Sequence, residues 1–259
     1  MRLRDQVGIV SGAAKGMGRA ISLKLAGEGA HLVLAAREPG PLEALAREVE
    51  ALGRRALVAP TDVREEAQVR AMVERALDAF GQIDILVNTA GITGPVETPV
   101  QDVKVEEWDE VLAVNLRGTF LCVKYVLPAM LARRRGKIVN IAGTSGLRGY
   151  KLRAPYSSSK WAVRGFTRTV ALEAGPFNVN ANCVAPGIVK GDRMDKLCRE
   201  KARKRGWTPE QVYQEYVNEM ALRRVTTVED VASAVLFLCL EESRNMTGQT
   251  LTVDGGWDV

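Results

Sequence analysis

Short runs of aliphatic and β-branched residues alternate along this chain with longer stretches in which apolar positions recur every three or four residues. Runs of the first kind cover residues 7–11 (VGIVS), 31–36 (HLVLAA), 56–59 (ALVA), 83–87 (IDILV), 137–142 (KIVNIA), 179–184 (VNANCV) and 251–253 (LTV). Each predicts a strand. Between them, Leu42, Leu45, Val49 and Leu52 share one helical face. Val69, Met72, Val73, Ala76, Leu77 and Phe80 share another. Further helices are predicted from the glycines at 12–18 to about Gly27, over about 105–134, from the region of Tyr156 onward, and over 228–240. Regular strand–helix alternation predicts an α/β fold: a Rossmann-like, doubly wound parallel sheet flanked by helices on both faces. No linker, repeat or low-complexity segment interrupts the rhythm, so residues 1–259 read as one domain.

Composition narrows the function classes. A 259-residue chain that is 46% hydrophobic and 26% charged suits one soluble α/β domain. Its uninterrupted apolar runs fall short of the ~18 residues of a membrane span. The N-terminal stretch passes into a strand without the apolar region of a signal peptide. A cytoplasmic protein without a membrane partner is therefore expected. Cys122, Cys183, Cys198 and Cys239 form no C-x-x-C pair and read as reduced, packed thiols. The single histidine, His31, begins a predicted strand and reads as structural. That argues against a Ser-His-Asp triad and against a His-rich metal site; no metal is expected. The net charge of +5 comes from widely spread bases with no nucleic-acid-reading motif. Anionic small ligands explain it without nucleic acid.

Two patterns carry chemistry. Residues 11–18 (SGAAKGMG) place Gly12, Gly16 and Gly18 between a predicted strand and a predicted helix. There the backbone can approach a dinucleotide pyrophosphate, and the helix N-terminus favours its charge. Tyr156 and Lys160 stand four residues apart, one above the other on a helix. The ammonium favours phenolate and lowers a pKa that starts near ~10. A proton-transfer group and a hydride carrier in one fold imply carbonyl/alcohol redox chemistry.

With these motifs in order, the chain resembles the classical short-chain dehydrogenases/reductases over essentially its whole length. Residues 11–18 resemble the family's T-G-x-x-x-G-x-G with Ser11 for Thr, and Asn88-Thr89-Ala90-Gly91 its N-N-A-G. Residues 156–160 (YSSSK), 185–189 (APGIV) and 247–256 (TGQTLTVDGG) are similar to its catalytic, nicotinamide-closing and terminal segments. The resemblance implies that Tyr156 is the acid/base and that Lys160 lowers its pKa and bonds the nicotinamide ribose. Asn115 would relay protons, or kink its helix, or both. It further implies a cofactor cradle of Gly12, Gly16, Met17, Gly18, Asp62 beside the adenine, Val63, Asn88, Ala90, Gly91, Pro186, Gly187 and Val189. Relatives assemble through the helices of Asn115 and Tyr156, so a homo-oligomer, dimer or tetramer, is expected, with Val163, Phe166 and Val170 as a candidate contact face.

Charge distinguishes the cofactors. NAD-preferring relatives carry an acid at the end of the second strand; here Ala36 is followed by Arg37, and Lys15 lies in the glycine turn. Two cations about a neutral position suit a 2′-phosphate, so NADP(H) is favoured, with NAD(H) the alternative.

One departure stands out. The family's catalytic serine falls thirteen residues before the tyrosine, and here that position is Gly143. Ser145 or Thr144 can swing in, with Ser145 the preferred stand-in; a bulky substrate or a water can replace the hydroxyl; or catalysis is weak. The last option supports a rival function, a non-catalytic or weakly active nucleotide-binding regulatory protein. A variable substrate lid is expected at about 190–224. Its bases at 190, 193, 196, 199, 201 and 203–205, with Arg148, Lys151 and Arg153, suggest an anionic carbonyl or alcohol substrate, or merely a solvated helix. Trp207, Tyr150 and Met194 are candidates for an apolar pocket or for core packing.

Overall fold

Successive strand side chains face two separate cores, and this divides the helices into two layers. The computed structural model describes residues 1–257. It contains strands β1 (Val7–Ser11), β2 (His31–Ala36), β3 (Ala56–Pro60), β4 (Ile85–Asn88), β5 (Gly136–Ile141), β6 (Val179–Pro186) and β7 (Thr250–Val253). All pair in parallel in the order β3-β2-β1-β4-β5-β6-β7. Each predicted strand is present, its ends shifted by no more than two residues.

Val10, Leu32, Leu34, Val87 and Val139 face one core. They meet Ile21 and Leu25 of α1 (Gly16–Gly27), Leu42, Leu45 and Val49 of α2 (Pro39–Ala51), and Val231 and Val235 of α9 (Val228–Cys239). Ile9, Val33, Leu86 and Ile138 face the other. There they meet Val69 and Met72 of α3 (Glu66–Phe80), Leu121 and Val126 of α5 (Gly118–Arg133), and Val170 of α6 (Ala154–Ala174). Burying each such side chain contributes roughly 1.5–3 kcal/mol. The strand order reverses between β1 and β4. The resulting crevice, beyond the carboxyl ends of both strands, is where open α/β sheets bind ligands.

The helix predicted over 105–134 is interrupted. Residues Val105–Leu112 (α4) and Gly118–Arg133 (α5) flank a π turn at Ala113–Arg117 that contains Asn115. The widened turn has identifiable causes. The Asn115 side chain is drawn toward the backbone of Ile92, and Thr119 Oγ1 donates to the Asn115 carbonyl at 2.8 Å. By length and hydropathy Val105–Arg133 also satisfies the requirements of a membrane span. Its apolar side chains Leu121, Cys122, Val126 and Met130 are instead taken up by the sheet.

The proposed contact face needs correction. Val163 and Val170 are buried within the chain's own cores, because the α6 face bearing them is the one laid on the sheet, and Phe166 packs beside them. His31 is structural, as expected: its Nδ1 accepts from the Arg55 amide at 3.0 Å and its ring stacks on Phe80. The four thiols are buried and unbridged, and burial raises those of Cys122 and Cys239 to about 12.

A buried polar row crosses the strand ends in register. Ser11, Asn88, Asn140 and Cys183 are successive neighbours on β1, β4, β5 and β6. Ser11 Oγ donates to Asn88 Oδ1 at 3.1 Å, Asn88 Nδ2 to Asn140 Oδ1 at 2.9 Å, and Asn140 Nδ2 to Thr167 Oγ1 of α6 at 2.9 Å. Replacing Asn140 by Ala leaves the buried Asn88 amide without its acceptor, at a cost of about 1–3 kcal/mol, while Thr167 keeps its bonds to Val163 and Cys183. Urea denaturation of Asn140→Ala is expected to show a loss of that order, without a change in the dependence on denaturant concentration.

Candidate active site

The crevice at the switch point is floored by the glycine turn. Gly12 and Gly16 have φ of +74° and +54°, a region that side chains disfavour. A Cβ on Gly12 would lie 2.7 Å from the Ala90 nitrogen, and one on Gly18 would run into the Gly12 carbonyl. Above Gly16 there is open space. Helix α1 begins with no acidic residue in its first turn and no side-chain cap. Its leading N–H groups therefore point at the crevice unsatisfied, a fit for a dinucleotide pyrophosphate.

The other predicted cradle residues differ in what they offer. Asp62 is gripped by the Arg64 guanidinium at 2.6 Å, a partner with no periodic signal in the sequence. That bond first, opposed by burial, and then the charges of Arg64 and Arg37, hold its carboxyl below the usual range. Arg37 and Lys15 are exposed, and Arg37 lies within electrostatic reach of Asp62. Val63 is turned inward, since a Cβ on Gly118 would meet its Cγ2 at 2.6 Å. The Asn88 amide is committed to the polar row, and Met17 and Ala90 pack on the two cores. Pro186 ends β6, Gly187 bonds back to the Val253 carbonyl at 3.0 Å, and Val189 bridges to Thr226, which fixes the far wall.

Helix α6 carries the phenol and ammonium one turn apart. Lys160 is buried, with Nζ 2.8 Å from the Ile141 carbonyl at the end of β5 and 5.7 Å from the Tyr156 ring centroid. Burial disfavours the Lys160 charge and lowers its pKa, while Tyr156 opposes the shift. For Tyr156, burial pushes the phenol upward. Lys160, Arg193, Arg153 and a hydrogen bond with Ser145 outweigh that and bring its pKa below the ordinary value. Asn115 accepts from the Ile92 amide at 2.8 Å and donates to the Ile92 carbonyl and to Ser159 Oγ. Its side chain thus clamps the loop after Gly91, and its backbone carbonyl accepts from Thr119 Oγ1.

Gly143 has φ +84°, and the next three residues, Thr144–Gly146, form a 3-10 turn. Ser157 Oγ holds this turn by donating to the Ser145 carbonyl at 2.7 Å. The Ser145 hydroxyl lies 3.7 Å from the point a Cβ of residue 143 would occupy, and the Tyr156 hydroxyl 3.9 Å from it. Thr144 is buried. The site therefore does hold a serine hydroxyl beside the phenol, supplied two residues later in the chain.

The expected lid consists of α7 (Asp192–Arg205) and α8 (Pro209–Glu219), packed on a third cluster with Met194, Tyr216, Met220 and Trp257. Tyr150 packs against that cluster, whereas Trp207 is exposed, with the Arg205 guanidinium over its ring at 5.5 Å. Three bases of the expected collar, Lys201, Lys204 and Arg205, hold the lid down. Lys204 donates to the carbonyls of Val96 and Glu97, Lys201 and Arg205 pair with Glu97, and Lys196 pairs with Glu200. Arg193 reaches inward, donating to the Gly91 carbonyl at 2.7 Å.

Comparison with known proteins agrees with this geometry. A family profile described as enoyl-(acyl carrier protein) reductase matches residues 12–258. The chain is 36% identical to the (2S)-[(R)-hydroxy(phenyl)methyl]succinyl-CoA dehydrogenase subunit BbsD of Thauera aromatica, covering 99% of this chain and 98% of that one. It is 35% identical to the 3-oxoacyl-[acyl-carrier-protein] reductase FabG of Thermotoga maritima, covering 99% of each. The crystal structure of NAD+-bound xylitol dehydrogenase superimposes with a TM-score of 0.95 at 31% identity, over 99% of this chain and 100% of the other.

The backbone at Gly143 generates a prediction about the serine position. Gly143→Ser forces a side chain into left-handed backbone, at a cost of order 1–3 kcal/mol. A lowered thermal midpoint in calorimetry is the expected result; an unchanged midpoint would show that the turn relaxes freely.

Proposed function

The chain belongs to the classical short-chain dehydrogenase/reductase family, and on that premise we propose an NADP(H)-dependent enzyme that uses Tyr156 as its acid and base. The coarser activity follows from membership: it is an oxidoreductase interconverting alcohols and ketones or aldehydes. The observation that carries the finer reading is the phenol itself, flanked by Lys160, Arg193 and the Ser145 hydroxyl, with its proton loosened.

In the reductive direction Tyr156 donates its proton to the substrate oxygen, and in the oxidative direction its phenolate removes one. A nicotinamide cofactor, when bound, supplies or accepts the hydride. Ser145 donates a hydrogen bond to the same oxygen, where charge develops. Lys160 stabilises the phenolate and, in the role the family resemblance implies, bonds the cofactor ribose. The Asn115 backbone carbonyl, which takes one bond from Thr119 and has a second lone pair, accepts from a relaying water. Gly12, Gly16 and Gly18 admit the pyrophosphate. Ala36 leaves the end of β2 without an acid, while Arg37 and Lys15 supply cations to a 2′-phosphate. A cytoplasmic location and a dimeric or tetrameric state belong to the same reading.

Tyr156→Phe is expected to lower kcat about 10²–10⁴-fold, the usual contribution of positioned proton transfer. Ser145→Ala should cost about 2.7–4 kcal/mol of transition-state stabilisation, expressed in kcat. Undiminished turnover in either would refute the assigned role.

The direction of the Tyr156 shift fixes a pH dependence. Oxidation needs phenolate, so kcat/KM should rise with pH and level off above a pKa lower than that of a free phenol. Reduction needs the phenol and should decline through the same point. Removing the cation in Lys160→Met moves the inflection to higher pH.

For the cofactor, wild-type protein should give a lower KM for NADPH than for NADH. Arg37→Asp should reverse that order; a wild-type preference for NADH would overturn the charge argument.

A further inference from the structure

Three cationic side chains are buried among the described residues, Lys160, Lys201 and Arg153. Lys201 pairs with Glu97 at 3.4 Å, and Lys160 donates a short bond to the Ile141 carbonyl at 2.8 Å. Arg153 has neither. It is 4% exposed, and among the described residues no carboxylate pairs with it. Its one hydrogen bond is a long donation from Nη2 to the Thr93 carbonyl at 3.4 Å, and its Nε is buried without an acceptor. A guanidinium remains charged under any accessible condition, so it cannot escape the cost of burial by losing its proton. A charge of this kind persists where a ligand completes it.

Its position says which ligand. Arg153 lies three residues before Tyr156, and its guanidinium carbon is 4.9 Å from the Tyr156 ring centroid. Thr93 belongs to the loop that Asn115 clamps after Gly91. An anion on Arg153 therefore sits beside the reacting oxygen, close enough to belong to the same small molecule. The planar fork of a guanidinium matches a carboxylate in particular. We propose that Arg153 is a substrate-binding residue that receives a carboxylate carried by the carbonyl substrate, making this enzyme selective for short keto acids and the corresponding hydroxy acids. This inference rests on the reductase reading above and names the substrate class of that site.

Initial rates with acetoacetate and levulinate, set against their methyl esters, test it at low ionic strength. Wild-type protein should favour the acids in kcat/KM by about tenfold or more, as one charge-assisted hydrogen bond allows. In Arg153→Met that preference collapses, chiefly through KM for the acids, and Arg153→Lys restores part of it. Esters preferred by the wild type, or acid and ester rates falling by one common factor in Arg153→Met, would overturn the proposal, the second outcome marking Arg153 as a support for Tyr156. Thermal melting with butyrate gives a readout without turnover, and Arg153→Lys serves if the methionine variant fails to fold. Butyrate should raise the midpoint of the wild type above that seen with equimolar chloride, and not that of Arg153→Met. Butyrate stabilisation with no carbonyl turned over would sink the reductase reading and leave the anion site standing. Ester turnover without any acid preference or butyrate effect would do the reverse.

Discussion

Positive charge buried around a single phenol, with no carboxylate among the described residues to neutralise it, is the constraint on which the rest of this structure depends. Lys160 and Arg153 are both withdrawn from water, and Arg193 adds a third field from the lid. Burial alone would hold the Tyr156 proton more tightly. Three cations and a hydroxyl reverse the sign. Such an arrangement is costly for a fold and useful for acid–base work, since a proton that leaves easily at moderate pH can also be returned. The surrounding structure accordingly fixes Lys160 closely. The Ile141 carbonyl takes its ammonium, and a Cβ on Gly146 would lie 2.7 Å from the Lys160 backbone carbonyl oxygen. That glycine lets the loop bearing Ser145 press against the helix bearing Tyr156.

The polar row through Ser11, Asn88, Asn140 and Thr167 connects this charged corner to the glycine turn. It begins where β1 enters the turn, passes the start of the loop containing Gly91, and ends on α6 two turns beyond Lys160. Hydrophobic layers set the distance between helices and sheet, but they tolerate sliding. Directional bonds between buried amides do not, because a shifted register leaves both partners unsatisfied. The row thereby ties the dinucleotide cradle and the proton-transfer group to one sheet register.

Much of this was legible in the sequence. Period-two and period-3.6 patterns located every strand of the sheet and the main helices, because both layers bury their apolar faces completely. The glycine turn and the Tyr156–Lys160 pair were legible because their chemistry is local, fixed by spacing along one element. What lay beyond reach was set across space. The π turn at Asn115 depends on Ile92, twenty-three residues away, and the inward face of Val163 and Val170 depends on how α6 rolls onto the sheet. The lid bases look alike in sequence. Only the fold separates Lys201 and Arg205, which meet Glu97, from Arg153, which meets no acid among the described residues.

Gly143 shows how a missing residue can mislead when read by position alone. Counted along the chain, the serine hydroxyl is absent. In space a glycine with φ +84° turns the backbone so that the hydroxyl of Ser145 arrives beside the phenol. The two residues are coupled by stereochemistry: an L-residue resists the left-handed backbone that brings the later serine in, and the glycine without that serine would leave the phenol lacking its neighbour. On the proposed mechanism the departure relocates a donor and removes none. The regulatory alternative drew its main support from that apparent loss. The same glycine, once its backbone angle is known, no longer supports it.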